Sequence, residues 1–239
     1  MLLSTTLKSA KYFLDGQLLL IDKPLEWTSF DAVNKIRYAI RKEFSIKKIK
    51  VGHAGTLDPL ATGLLIICTG KFTKQINDFM GMPKEYTGVI KLGATTPSYD
   101  LETEVDAQFP VAHITDELIE QARQKFLGEI DQIPPVFSAI KKDGQKAYEA
   151  ARAGESIEMK SRRITIENLE LERLNETDLA FKVNCSKGTY IRSLAFDIGR
   201  ALNSGAHLTQ LRRTKIGEYD VENAIGVEEF VNSISSSEA

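Results

Sequence analysis

The sequence predicts an α+β protein built around a mixed β-sheet. Segments with strand-like and helix-like patterns follow one another without the strict alternation of a doubly wound fold. Two strand-like segments, 163–174 and 178–186, are separated only by residues 175–177 and predict an antiparallel hairpin. The 239 residues, 42% of them hydrophobic, are enough for a substantial core, and we expect residues 1–239 to form a single domain.

The first predicted elements are a buried strand and an amphipathic helix. Residues 16–22 predict a strand that ends at Lys23, because Pro24 follows. Ser29 is a good N-cap for the next helix, and Asp31 lies favourably in its first turn. The apolar positions of this helix recur at helical spacing: Ala32, Val33, Ile36 and Ile40. Its basic side chains are therefore left on the solvent-facing side.

Further elements follow along the chain. We expect a strand over 64–68, a helix from about 73 to 80, a strand over 85–92 and a helix between the N-cap Thr115 and Gly128. After the hairpin, the predicted elements are a helix over 190–202 and a strand over 206–216.

Residues 131–160 predict a protruding insertion rather than an independent domain. Pro134 and Pro135 interrupt regular structure, and a short helix-like segment over 145–153 ends at Gly154. The insertion contains too few large apolar residues to form its own core. It is therefore expected to be mobile until it meets a ligand.

Charge is balanced over the whole molecule but segregated along the chain. Lys and Arg number 31 against 33 Asp and Glu. The segment 35–50 carries seven basic residues against Glu43 alone, and Arg212, Arg213 and Lys215 form a second cluster. Such segregation can concentrate a positive field on one face, although a charged run is more often a solvated surface.

Cysteine and histidine usage argues against disulfides and metal. Cys68 and Cys185 lie far apart in apolar segments, and we interpret them as reduced core residues. The three histidines show no metal-ligand spacing to each other or to the cysteines: His53, His113 and His207. The chain has no apolar signal region and no stretch of about 18 apolar residues. We therefore expect a soluble, cytoplasmic protein.

A glycine-rich loop around Asp58 is the most informative segment. Gly52, Gly55 and Gly63 allow unusual backbone conformations and close approach to a ligand, and Pro59 favours an extended conformation at Asp58. Asp58 should therefore be presented by a loop rather than held within a strand. Taken alone, an Asp-Pro between glycines is more often a turn residue that hydrogen-bonds its own loop than a catalytic acid.

This loop resembles that of the TruB family of tRNA pseudouridine synthases, and the resemblance covers nearly the whole chain. The loop motif is Gly-His-x-Gly-x-Leu-Asp-Pro-x-Ala-x-Gly. The other matching segments, in order, are Ile21-Asp22-Lys23-Pro24 with Thr28-Ser29, the Lys-x-Tyr strand at Tyr86, Pro134-Pro135 with Ser138-Ala139, and Gly188-Thr189-Tyr190-Ile191-Arg192. The resemblance implies a mixed, largely antiparallel sheet flanked by helices, with a central catalytic cleft.

The resemblance also implies the chemistry. Uridine becomes pseudouridine when the N1–C1′ bond breaks, the uracil turns and C5 bonds to C1′, without redox change, so no cofactor is expected. Asp58 is implied as the nucleophile, and attack at C1′, addition at C6 and a role as base all remain open. Arg192 is implied as the cation that keeps Asp58 ionised, and Tyr86 as the residue that stacks on uracil near the C5 proton.

Five further residues are implied to contact substrate. His53 matches a side chain that enters the folded RNA loop and helps to extrude the target base. Tyr190 and Leu211 match pocket walls, and Lys23 lies in a matching segment. Asp100 matches an acid near the family's active site, but its surroundings, Thr95 to Tyr99, depart from the family pattern TDTxDxxG.

The expected substrate is tRNA, modified at the uridine of the T-loop numbered 55. We do not expect the C-terminal PUA-type domain of many relatives, so binding should depend on the insertion and on phosphate contacts from 35–50, Arg212 and Arg213. A monomer without protein partners is implied. A competing interpretation is an RNA-folding chaperone that flips and releases bases. A P-loop or dinucleotide enzyme is excluded because neither GxxxxGK[ST] nor GxGxxG occurs.

Overall fold

A computed structural model describes residues 9–138, 140–142, 145–147 and 159–235 of the chain. Its strands are β1 Leu18–Lys23, β2 Val51–His53, β3 Ala61–Thr69, β4 Lys84–Leu92, β5 Ala94–Thr95, β6 Ala107–Gln108, β7 Gly128–Gln132, β8 Lys141–Lys142, β9 Gln145–Lys146, β10 Arg162–Arg173, β11 Asp178–Cys185, β12 Ala206–Ile216, β13 Tyr219–Asp220 and β14 Ile225–Gly226. Its α-helices are α1 Ala10–Asp15, α2 Ser29–Glu43, α3 Ile76–Gly81, α4 Asp116–Gln124, α5 Ile191–Ala201 and α6 Val227–Ser235. Two 3₁₀ helices span Gly70–Gln75 and Val221–Asn223. The mixed order of elements confirms the α+β class.

The chain divides into two compact units. The first comprises the described residues of Met1–Glu85 and Arg212–Ala239, and the second comprises those of Tyr86–Leu211. The unit boundaries therefore fall within β4 and near the middle of β12.

In the first unit the strand order is β14-β1-β3-β12. β1 runs antiparallel to β3, with Leu18 opposite Cys68, and parallel to β14, with Ile21 opposite Ile225. β2 pairs with the far end of β3, where His53 lies opposite Ile67. β3 is therefore a central strand, and its last residues support the segment that leads into the acid loop.

Both faces of β3 are buried, as the continuous apolar run predicts. Successive side chains of a strand point to opposite faces, so the run divides between two clusters. One cluster packs β3 against α2 and α6: Leu65, Ile67, Ile36, Ile40 and Phe230. The other lies on the opposite face of β3: Leu64, Ile66, Cys68, Phe79 and Ile216.

In the second unit the strand order is β4-β11-β10-β7. The predicted hairpin is confirmed, because β10 and β11 pair antiparallel with Leu169 opposite Val183. The turn is held by Asn175, whose Oδ1 accepts from the backbone N of Thr177 and of Asp178. The inward side chains of β4, β10 and β11 form one core with α4 and α5.

Three helix boundaries differ from the sequence prediction. Thr28, not Ser29, is the N-cap of α2. In this capping box the Thr28 side chain accepts a hydrogen bond from the backbone N of Asp31, and the Asp31 side chain accepts one from the backbone N of Thr28. The segment predicted as a helix from 73 to 80 begins as a 3₁₀ helix and becomes α-helical only at Ile76. Gly128 does not end a helix; α4 ends at Gln124, and Gly128 opens β7 with φ +85°.

Several short elements were not predicted from the sequence. They are α1, β2, the β5–β6 pair, β7, β8, β13, the 3₁₀ helix Val221–Asn223, β14 and α6. Within the insertion, Gln145–Lys146 is not helical but pairs as β9 with β8. Residues 148–158, and with them most of the predicted helix over 145–153 and the expected mobility, lie outside the described residues.

The two cysteines are free and buried, as predicted. Burial raises the pKa of the Cys68 thiol to about 11, so it stays protonated at neutral pH. Within the described ranges, no helix is both long enough and apolar enough to cross a membrane.

Candidate active site

In the first unit, Asp58 lies on a loop between β2 and β3, as predicted, and is partly exposed. A glycine in the loop and a glycine near the start of β3 have positive φ, +104° at Gly55 and +105° at Gly63. A Cβ atom at Gly63 would overlap the carbonyl oxygen of Arg213. Only glycine therefore allows the start of β3, which follows the loop, to pass this close to β12.

Ser29 holds the residue that precedes Asp58. Its Oγ accepts a hydrogen bond from Leu57 N at 2.8 Å and donates one to Leu57 O at 3.1 Å. Both residues are buried. On the other side of Asp58, Pro59 O accepts from the backbone N of Glu26 at 2.8 Å. The start of α2 and the turn between β1 and α2 thus fix the backbone on both sides of the carboxylate.

Arg213 holds the same loop from β12. Its guanidinium donates to the carbonyl oxygens of Leu64 at 2.8 Å, Gly55 at 3.1 Å and Thr56 at 3.5 Å. The side chain is 1% exposed. The expected phosphate contact of Arg213 is therefore wrong, because its donors face backbone carbonyls inside the protein.

Arg212, the neighbour of Arg213, points the other way, as adjacent strand residues do. Its guanidinium forms a two-point ion pair with Asp22, at 2.7 Å for Nη2–Oδ2 and 3.1 Å for Nη1–Oδ1. This pair joins β12 to β1. Arg212 is partly exposed, and its charge is already compensated by Asp22.

Lys23 is fully buried, and its Nζ donates to the carbonyl oxygens of Trp27 at 2.6 Å and Pro24 at 2.9 Å. Burial, together with the positive charge on Arg213, lowers the pKa of Lys23 to about 8. The negative charge of Asp58 opposes this shift. Lys23 thus supports the backbone beside α2 and adds positive potential at Asp58.

His53 ends β2 and is partly buried. Burial, and then the positive charge on Arg213, lower the pKa of His53 below its usual 6.5, while the backbone of Gly55 opposes the shift. The imidazole is therefore neutral at pH 7. A neutral aromatic ring suits the stacking role that the family resemblance implies.

In the second unit, Arg192 lies in the first turn of α5 and is 5% exposed. Its Nη1 donates to Ser98 O at 3.2 Å, and its Nε lies 3.5 Å from Asp100 Oδ2. Asp100 is also buried. The acid whose role the sequence left uncertain is therefore an ion-pair partner of Arg192.

The turn that carries Asp100 is held in an unusual conformation. Tyr99 has φ +63°, which is rare for a residue with a side chain. Its ring stacks on Phe196 of α5, with centroids 4.1 Å apart, and its carbonyl accepts from Leu208 N at 2.9 Å. These contacts tie the turn to α5 and to β12, and so aim Asp100 at Arg192.

The remaining predicted residues also lie in the second unit. Tyr86, on β4, and Leu211, on β12, are partly buried against its core. Tyr190 is the residue before α5, and its backbone N and O both bond the side chain of Gln132, at 2.8 and 3.0 Å. The guanidinium of Arg162 lies 5.6 Å from the centre of the Tyr190 ring. Gln132 therefore fixes the start of the helix that carries Arg192.

Family models match the chain over most of its length. The model of the TruB family pseudouridylate synthase N-terminal domain matches residues 41–191, and that of the tRNA pseudouridylate synthase B C-terminal domain matches residues 192–238. The chain belongs to the TruB family.

Relatives in the TruB family are similar over nearly their full length. A protein of Flavobacterium johnsoniae named tRNA pseudouridine synthase B is 62% identical over 223 residues, which is 93% of this chain and 97% of that protein. One of the same name from Phocaeicola vulgatus is 58% identical over 218 residues, 91% of this chain and 93% of the relative.

Among solved structures, the chain is similar to one in the crystal structure of a Cbf5–Nop10–Gar1 complex. The TM-score is 0.68 and the sequence identity 28%, over 94% of this chain. The match covers 56% of the solved chain, so this chain spans about half the length of that one. The likeness supports the pseudouridine synthase fold.

Family motifs identified Asp58, but they did not identify the residues that hold its loop in this TruB-family chain. Ser29 was interpreted as a helix cap and Arg213 as a phosphate contact, although both bind the backbone of the loop. No motif or pattern in the sequence indicated a role for Gln132.

Proposed function

We propose that the chain converts the uridine at tRNA position 55, in the T-loop, to pseudouridine, with Asp58 as the nucleophile. The observation that carries the proposal is the membership of the TruB family together with a partly exposed carboxylate whose flanking backbone is held by Ser29 and Arg213. Such preorganisation is what a catalytic carboxylate requires, because small displacements of a reacting group slow a reaction strongly.

The reaction conserves atoms and electrons. The N1–C1′ bond breaks, a C5–C1′ bond forms, the proton on C5 leaves, and N1 is protonated. Asp58 adds to the sugar or to the ring, or removes a proton, and each of these routes requires the ionised carboxylate. We assign Tyr86 to stacking on the base and to the region of the C5 proton, and His53 to extrusion of the base. Arg192, in the first turn of α5, forms a buried ion pair with Asp100.

Asp58→Asn is the decisive variant, because it removes the charge and keeps the shape. An unmodified tRNA transcript would be incubated with each protein, and pseudouridine would be mapped chemically. The parent should modify position 55, and Asp58→Asn should bind tRNA but not turn over. Asp78→Asn, on the exposed surface of α3, serves as the matched control. Turnover that survives Asp58→Asn would remove the nucleophile assignment, and RNA refolding without any pseudouridine in the parent reaction would favour the chaperone.

We infer further that residues 1–239 act as one catalytic domain, as a monomer in the cytoplasm, without cofactor or protein partner. The isomerisation itself requires no redox or group-transfer partner. The test is the same assay with only purified chain and transcript, combined with light scattering of the active fraction. Modification that needs an added protein, or an active fraction with the mass of a dimer, would contradict this inference.

A further inference from the structure

A basic groove lies on the first unit, and Arg213, which holds the acid loop, is not among the residues that line it. Its volume is about 440 Å³, and it lies between the C-terminal half of α2, the segment that leads into β2, and the 3₁₀ helix Gly70–Gln75. Five cationic side chains line it: Arg37, Arg41, Lys47, Lys48 and Lys50. These residues define the basic groove.

The two arginines of the basic groove are held in place by the protein. Arg37 donates to Asn34 Oδ1 at 3.0 Å and to Val51 O at 3.3 Å, and Arg41 donates through Nε to Ile46 O at 3.3 Å. Neutral acceptors leave both positive charges uncompensated. Preorganised guanidinium groups suit the planar recognition of phosphate oxygens.

The cations of the basic groove lack the acidic partners that several other surface cations of the first unit have. Lys35 pairs with Glu228 at 2.9 Å, and Lys71 pairs with Asp15 at 3.0 Å. Within the described part of the chain, no carboxylate lies within 4.0 Å of the charged groups of the five groove residues. Complementarity to the helix dipole explains a cation in the last turn of α2, but not the three lysines beyond the helix.

The basic groove is continuous with the acid loop along the chain. Gly52 lines the groove, and the next residue, His53, ends β2 at the start of that loop. A polyanion that reaches the Asp58 loop along β2 therefore passes these five cations. We propose that the basic groove binds the sugar-phosphate backbone of the RNA substrate and anchors it electrostatically. The identity of the polyanion as RNA rests on the proposed function.

The test compares two triple variants with the same change in charge. Lys47→Ser/Lys48→Ser/Lys50→Ser removes three lysines of the groove, whereas Lys11→Ser/Lys71→Ser/Lys125→Ser removes three exposed lysines elsewhere. The Kd for an unmodified tRNA transcript is measured between about 50 and 200 mM salt. The groove variant should bind at least about tenfold more weakly, and its log–log salt slope should be shallower by about 2. The control should match the parent.

Two results would overturn the proposal: an unchanged salt slope in the groove variant, or an equal loss of tRNA affinity in the groove variant and the control. Urea unfolding of each variant confirms that exposed substitutions leave the fold intact. The proposed function is tested by a different readout. A parent protein that binds tRNA through the groove but forms no pseudouridine would refute the proposed function and leave the proposal about the groove standing.

Discussion

The hydroxyl group of Ser29 forms two hydrogen bonds with the backbone of Leu57, as acceptor from N and as donor to O. Leu57 immediately precedes Asp58, and Ser29 is the first residue of α2. A single buried side chain therefore links the start of a helix to the loop that carries the Asp58 carboxylate, 28 residues further along the chain.

Ser29→Ala should destabilise the protein and misplace the loop. The change leaves the buried N–H and C=O of Leu57 without these partners, which costs about 1–3 kcal/mol of unfolding free energy. The rate constant of a single turnover should fall more than the affinity for tRNA. Urea unfolding and single-turnover assays measure both quantities, with Ser9→Ala, at the exposed N-cap of α1, as control. Unchanged chemistry in Ser29→Ala would show that the loop holds its shape without this contact.

Arg213 should act on turnover and not on the salt dependence of tRNA binding. Arg213→Met removes donors to three carbonyl oxygens and should lower the unfolding free energy by about 1.5–3 kcal/mol and the turnover rate at saturating tRNA. Arg213→Lys should restore part of both. Because the guanidinium is buried, the log–log salt slope of tRNA binding should stay that of the parent. A slope shallower by about 0.7–0.9 would indicate a phosphate contact after all.

The sequence predicted the regular elements better than the contacts between them. The strand over 206–216 has the predicted bounds, and the hairpin between 163 and 186 is present, because period-two alternation is a local property. The roles of Arg212 and Arg213 could not be predicted in this way. Alternation places them on opposite faces, but only the tertiary structure determines which face meets carbonyl groups and which meets Asp22.

Short elements were missed for a related reason. α1 has six residues and α6 nine, and both depend on tertiary packing, since isolated helices of this length are marginal. Asp58 was found because its loop carries a family motif. The ion pair of Arg192 with Asp100 was not, because it depends on a left-handed residue, Tyr99, that neither composition nor periodicity indicates.

The pair of Arg192 and Asp100 should show strong coupling. Asp100→Leu or Arg192→Met alone leaves one charge buried beside the site of its lost partner, which costs about 3–5 kcal/mol. The double variant should recover much of that stability, because neither charge remains, but it should not recover turnover. A double-mutant cycle of urea unfolding and single-turnover rates measures both effects. Additive losses of stability would show that the two groups do not interact.

Lys23 should make stability depend on alkaline pH. Its pKa is about 8 in the folded protein and 10.5 in its usual state, so the unfolded chain binds more protons between these values. The free energy of unfolding should therefore rise with pH through this window, by up to about 3 kcal/mol from this residue. Urea titrations at pH 8, 9 and 10 would measure the rise, and the difference between parent and Lys23→Met isolates it. A parallel response of both proteins would contradict the shift.

The link between Arg213 and the acid loop also sets the order in which the loop can be completed during translation. Arg213 follows Gly55 by 158 residues. A ribosome that adds about 5–20 residues per second needs roughly ten to thirty seconds to make that stretch. Throughout this interval the nascent chain already contains Asp58, but the guanidinium that holds its loop has not been synthesised. The acid loop is thus made early and reaches its final shape only when the ribosome has delivered the end of β12.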